Sequence, residues 1–222
     1  MNEQEAVVIG ASGLIGSQLI DLLLADDHFR TVRILVRKKL DLDHPKLQQQ
    51  VTDFTNEIDY TSNLGKGDSI FCCIGTTQKN VKGDKAAYEK IDHDIPVNAA
   101  RIGSENGFKQ FLIVSSVGAK PAARNFYLQL KGKTERDIRQ YPFQCISIFR
   151  PAMLLGKRME KRRGEKILQS MMQALSFLLV GGLSKYHPVS GRDVAAAMIA
   201  QCKQSKNGVH ILEYKQMKEL TR

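Results

Sequence analysis

Residues 10–16 read GASGLIG, directly after the apolar run Ala6-Val7-Val8-Ile9 and directly before a helical pattern. No other segment constrains the fold as tightly. A short buried strand that turns at once into a helix leaves the first N–H groups of that helix without intrahelical partners. Glycines at 10, 13 and 16 permit a tight turn, a close approach of backbone to phosphate, and close packing of helix on strand. Such a helix start receives the pyrophosphate of a dinucleotide. The spacing is GxxGxxG rather than the commoner GxGxxG. Gly10, Gly13 and Gly16, with Ser12, Leu14 and Ile15 between them, are therefore candidate cofactor contacts.

The rest of the chain keeps the same rhythm. Hydrophobic patterning predicts strands at 6–9, 32–36, 50–53, 69–74, 110–115, 144–149 and 210–212, and helices at 13–25, 84–104, 124–139, 164–180 and from 191 onward. Strands alternating with helices predict an α/β fold, doubly wound, with a mostly parallel sheet. Pro96 falls inside the 84–104 pattern and should kink or split it. The expectation is a single dinucleotide-binding domain over 1–222. Its core is 1–150, and the 151–222 region, too small for a domain of its own, caps the substrate side.

Composition narrows the function classes. Hydrophobic content of 42% and charged content of 25% over 222 residues suit a soluble globular protein. No run approaches the ~18 apolar residues of a membrane span, and MNEQEAVVIG lacks a basic-then-apolar leader. A cytoplasmic location is the expectation. Cys72, Cys73, Cys145 and Cys202 show no CxxC or Cys/His spacing and the five histidines are scattered, so no metal site is expected. Adjacent Cys72 and Cys73 should face opposite sides of the sheet as small buried hydrophobes. The net charge of +10 is densest at 157–166, KRMEKRRGEK. That stretch has no interleaved aromatics and the chain has no Trp, so nucleic acid is not expected as a partner. A solvated loop that meets a cofactor phosphate is the simpler reading.

Tyr127 and Lys131 lie four apart in YLQLK, on one helical face. A neighbouring ammonium lowers a phenol's pKa and makes it a usable acid near neutral pH. Ser116, just past the fifth strand, is the candidate to hold a substrate carbonyl beside Tyr127. Of the two neighbouring serines only one can point inward. Cofactor choice follows from the end of the second strand, where an NAD site places an acid. Here the sequence is Leu35-Val36-Arg37-Lys38-Lys39, with no acid before Asp41. Arg37 can grip a 2′-phosphate with charge-assisted bonds and Lys38 can add a point charge, so NADP(H) is favoured over NAD(H). Asp53 is placed either to accept from an adenine amino group or to cap the next helix, whose N-cap is Asp53 or Thr55. Gly75 and Thr76 close the fourth strand, where a small residue lets cofactor lie against backbone.

GASGLIG, VRKKL, VTDF, FCCIGTT, SSVGAK, FYLQLKGK and FRPAMLLGKR together resemble the short-chain dehydrogenase/reductase superfamily. The likeness is to its atypical branch, nearest the Tat-interacting-protein-like oxidoreductases. The resemblance implies a Rossmann fold binding NADP(H), with Tyr127 as proton donor or acceptor. It implies that Lys131 binds the nicotinamide ribose and that Arg37 and Lys38 meet the adenosine phosphate. It also places Leu154 and Arg162 among the cofactor contacts. Many superfamily members carry a proton-relay Asn where this chain has Asp92. The function expected is reversible carbonyl–alcohol interconversion on a small molecule. Two alternatives remain: an NADP-sensing protein that acts through a protein partner, and a nucleotide-sugar epimerase, whose substrates demand a larger C-terminal lobe.

Overall fold

The computed structural model describes residues 4–155 and 181–222. Strand β1 (Gln4–Ile9) runs through the glycine turn into α1 (Leu14–Leu24), followed by β2 (Phe29–Val36), β3 (Leu47–Val51), α2 (Glu57–Leu64) and β4 (Ser69–Cys72). Next come α3 (Lys85–Glu89), a π-helical turn (Lys90–Asp94), α4 (Ile95–Glu105), β5 (Gln110–Val114), α5 (Phe126–Ile138) and β6 (Cys145–Phe149). The two-residue strands β7 (Leu154–Leu155) and β8 (Val189–Ser190) pair with each other. Helix α6 (Gly191–Gln204), β9 (Gly208–Leu212) and α7 (Tyr214–Leu220) follow. The central sheet has the order β3-β2-β1-β4-β5-β6-β9, and every pairing in it is parallel.

Burial explains why the strands read as nearly unbroken apolar runs. All residues of β4, β5 and β6 are buried, as a parallel sheet covered on both faces requires. Ala6 and Val8 of β1 join the cluster containing Leu19 and Leu23 of α1 and Val194 and Met198 of α6. Val7 and Ile9 join the opposite cluster, with Tyr60 of α2, Ala99 and Ile102 of α4, and Ile138 of α5. Cys72 and Cys73 divide the same way, Cys72 into the second cluster and Cys73 against Met198 in the first. Burial pushes the Cys72 thiol up to about 11, which keeps it protonated and unreactive.

Several expectations need correction. Strand β3 occupies Leu47–Val51 rather than 50–53, because its Gln-rich, half-exposed edge gives no alternating signal. The N-cap of α2 is Asn56, whose Oδ1 accepts from the Asp59 N–H at 3.1 Å. Neither Asp53 nor Thr55 takes that place. Instead Asp53 Oδ1 accepts from both the backbone N–H and the hydroxyl of Thr55, at 2.9 and 2.7 Å, in a local turn that holds its carboxyl below the usual range. Helix α7 was not anticipated. Within the C-terminal stretch, α6 packs on α1, and β9 adds a strand beside β6. The helix expected at 164–180, Arg162 and the basic stretch at 157–166 lie outside the described residues.

The 84–104 helix does split near Pro96. Pro96 lies in the first turn of α4 and has no N–H to return to the carbonyl of Asp92 four residues earlier. The chain loosens into the π turn, where the Ile95 N–H donates to the Lys90 carbonyl. The released Asp92 carbonyl accepts from Thr134 Oγ1 at 3.1 Å, which docks the turn onto α5. His93, next along, sits 2.8 Å from Asp94 and 2.9 Å from Asp137 of α5. Burial alone would lower the His93 pKa, but hydrogen bonds and attraction from Asp137 and Asp94 outweigh it and the value rises above 6.5. A raised folded-state value means His93 stabilises the fold fully below the unfolded value of 6.5, and the gain is lost as pH rises through the folded value. His93→Gln should therefore lower the melting temperature at pH 5.5–6 and leave it nearly unchanged at high pH. Equal losses at both ends would exclude the ionised pairs as the cause.

Candidate active site

At the carboxyl ends of the strands, where the order reverses between β1 and β4, a cleft of about 730 Å3 opens. In open α/β sheets ligands bind at such a switch point. One wall is the glycine turn. Gly10 has φ +88°, and a Cβ there would lie 2.7 Å from the Cys73 carbonyl carbon and the Ile74 nitrogen. A side chain at Gly16 would drive into the backbone of Gly10. Gly13 is the N-cap of α1, and no side chain caps the helix. Ser12, Gly13, Leu14 and Ile15 all line the cleft. This is a cradle that offers backbone amides rather than side chains, a geometry that could hold a pyrophosphate.

The opposite wall carries the chemistry. Tyr127 and Lys131 project from α5 into the same cleft. The Tyr127 ring meets Tyr88 edge-on, at 6.5 Å and 72°, and the Tyr88 hydroxyl donates to the Thr76 carbonyl at 3.0 Å. Lys131 Nζ lies 2.9 Å from Asp92 Oδ1, with both side chains buried. Burial pulls the Lys131 pKa down, but attraction to Asp92 wins and the value rises above 10.5. The other carboxylate oxygen of Asp92 accepts from the Thr76 N–H at 2.7 Å. A Cβ at Gly75 would make only ordinary contact with Asp92 Oδ1, at 3.6 Å. Asp92 thus ties the Gly75-Thr76 turn to the lysine.

Glu135 stands one further turn along the Tyr127–Lys131 face and is fully engaged beneath the cleft. It accepts from the Ser115 hydroxyl at 2.5 Å and from Arg150 Nε at 2.9 Å, with a second bond to Arg150 Nη2. The bonds to Glu135 raise the Arg150 pKa despite burial. This network locks the ends of β5 and β6 to α5. The 127, 131, 135 spacing was a visible signal for it that patterning alone passed over. Ser115 and Ser116 are both buried; Ser115 is among the residues that line the cleft, with its hydroxyl given to Glu135, and Ser116 donates a long 3.4 Å bond to the Val117 carbonyl. Leu154 lines the cleft through its pairing with Val189. Arg192, not anticipated, reaches the same wall from the first turn of α6.

Arg37 and Lys38 are exposed just beyond β2 and lie outside the walls of this cleft. Neither has an acidic partner among the described residues. Asp53 is also exposed, beyond β3. The three follow the carboxyl ends of β2 and β3, the strands that lie on the other side of β1 from β4. Among the described residues there is no cluster of His, Cys, Asp and Glu that could hold a metal ion, and no helix is long and apolar enough to cross a membrane.

Residues 10–205 match the model of a family described as NAD(P)H-binding. Among curated proteins the chain is 31% identical over 178 residues to Protein HTATIP2 of Rattus norvegicus, covering 79% of this chain and 73% of that one. It is 32% identical over 198 residues to the mitochondrial Protein FMP52 of Debaryomyces hansenii, covering 87% and 85%. Among solved structures, a UDP-N-acetylglucosamine 4-epimerase from Methanobrevibacter ruminantium superposes with a TM-score of 0.71 at 18% identity, covering 96% of this chain and 77% of that one. A UDP-glucose 4-epimerase from Thermotoga maritima gives 0.69 at 17% identity, covering 98% and 82%. These two share the fold. With the amide cradle, the seven-stranded parallel sheet and these relatives, the chain belongs to the NAD(P)H-binding family, within the atypical short-chain dehydrogenases/reductases.

Proposed function

We propose that this protein is an NADP-dependent reductase that interconverts a small-molecule carbonyl and its alcohol. The observation that carries the reading is that Tyr127 and Lys131 line the same cleft as the uncapped start of α1. A bound nicotinamide cofactor supplies the hydride for such a reaction. Everything else falls to side chains of this chain. Tyr127 gives its phenolic proton to the substrate oxygen as the carbonyl becomes an alcohol, and takes it back in the oxidative direction. Lys131, one turn along, binds the ribose and keeps its charge because Asp92 stabilises the ammonium. The Glu135–Arg150 network holds α5 in register with the sheet, so that Tyr127 and Lys131 keep their positions.

A serine hydroxyl orients the substrate carbonyl. Its chain position favours Ser116, while Ser115 is the one that lines the cleft. Ser115→Ala and Ser116→Ala, compared for kcat with a confirmed substrate, separate the two. Arg37 and Lys38 select the 2′-phosphate, and Gly75, Thr76, Leu154 and Arg162 complete the cofactor site in this reading. A panel of aldehydes and ketones, followed by loss of NADPH absorbance, tests the proposal. At least one carbonyl should be reduced faster with NADPH than with NADH. No turnover with any member, although NADPH binds, would favour a cofactor-sensing role through a protein partner instead.

A further inference from the structure

Asp92 is a buried carboxylate in direct contact with the ammonium that the active site exposes to its cofactor. It lies at 2.9 Å from Lys131, is held on its other oxygen by the Thr76 amide at 2.7 Å, and lines the cleft itself. Its position comes from the backbone: Pro96 frees the Asp92 carbonyl, Thr134 captures it, and the π turn points the carboxylate at α5. An asparagine could still accept from the Thr76 amide, more weakly than a carboxylate, but it would leave the buried Lys131 ammonium without its counter-charge.

What the charge does alter is the electrostatics of the cleft floor. The pyrophosphate cradle fixes one end of a bound dinucleotide, and Arg37 marks the adenosine side beyond β2. The nicotinamide half must then lie over β4 to β6, where Asp92 and Lys131 stand. The oxidised nicotinamide ring carries a positive charge and the reduced ring carries none. A lone buried ammonium would repel the oxidised form only, and a water-poor site strengthens that repulsion. With Asp92 ionised against it, the pair is neutral as a whole.

We propose that Asp92 is a determinant of cofactor redox preference, cancelling the Lys131 charge so that the site holds the oxidised nicotinamide without electrostatic penalty. The inference rests on cofactor binding by this cleft and not on the identity of any substrate. The test is calorimetric affinity for NADP+ and for NADPH, on wild type, Asp92→Asn and Asp92→Asn/Lys131→Met. The ratio is read at pH 6 and again at pH 5, since burial lowers the pKa of the uncompensated lysine and the effect on the ratio should grow as falling pH protonates it.

In Asp92→Asn the dissociation-constant ratio of NADP+ to NADPH should rise by roughly tenfold, about 1.4 kcal/mol. In the double variant, where both charges are gone, the ratio should return to the wild-type value. Asp92→Ser keeps an acceptor and removes the charge; it should raise the ratio like Asp92→Asn and replaces it if that variant melts early. An unchanged ratio, or equal weakening of both forms, would show that Asp92 only holds the turn and would overturn the proposal. No step of the measurement involves turnover, so a failure to reduce carbonyls leaves its outcome readable.

Discussion

Tyr127→Phe is expected to slow carbonyl reduction by roughly 10²–10⁴-fold, the usual value of a positioned general acid. The substitution removes one hydroxyl and keeps the ring. The edge-on contact with Tyr88 is made by the rings alone, so the packing of α5 against α3 survives. The phenol does not hold α5 in place. That is done by the Thr134 bond to the π turn and by Glu135 with Arg150. NADPH affinity should fall by no more than about tenfold, since the amide cradle and Arg37 are untouched and a lost neutral hydrogen bond is worth only ~0.5–1.5 kcal/mol. The loss should appear in kcat, the sign of a group that acts in the transition state more than in binding. Steady-state kinetics with a substrate found in the carbonyl panel decides it. Equal kcat in wild type and variant would remove Tyr127 from the mechanism.

Arg37→Ala should weaken NADPH by roughly 10–150-fold and leave NADH nearly unchanged. A hydrogen bond to a charged group is typically worth ~1.5–3 kcal/mol, and ~1.4 kcal/mol is tenfold. Arg37 stands exposed just past the end of β2, with no acidic partner among the described residues to break before it meets a phosphate. Its exposure also makes the contact sensitive to salt, because charges in water are screened over ~8–10 Å at physiological ionic strength. The NADPH advantage should shrink between low and high salt in wild type and be small at both in the variant. Calorimetry with both cofactors reads this directly. A wild-type protein that prefers NADH, or a variant that weakens both cofactors alike, would show that Arg37 does not read the 2′-phosphate.

Local features of the sequence carried most of the fold. The GASGLIG turn, the apolar strands and the Tyr127–Lys131 spacing each depend on residues a few positions apart, and each stands where patterning places it. The errors have nonlocal or near-degenerate causes. Asp53, Thr55 and Asn56 are all good cap residues within four positions, and propensity cannot choose among them. The choice between Ser116 and Ser115 is not among the errors: it is decided by the two alanine variants and turns on where β5 stops, since a shift of one residue exchanges the inward and outward faces. The effect of Pro96 was legible as a break. That the freed carbonyl would find Thr134, and thereby press Asp92 against Lys131, depends on a contact 42 residues away in the chain. Strand β9 carries exposed Val209 and Ile211, so its place beside β6 was not written in its own pattern.

The late arrival of that strand shapes how the chain must be made. A protein leaves the ribosome amino end first, at ~5–20 residues per second. When residues 4–150 have emerged, β1 to β6 can already pair, but the inner face of α1 still lacks α6 and β6 still presents an unpaired edge. Both gaps close only when residues 191–212 appear. For the interval between, the nascent chain shows an apolar helix face and an open parallel edge, the two surfaces on which unfinished chains join one another. A ribosome stalled before residue 190 should hold a species that recruits chaperones, while one stalled well past residue 212 should hold a closed sheet.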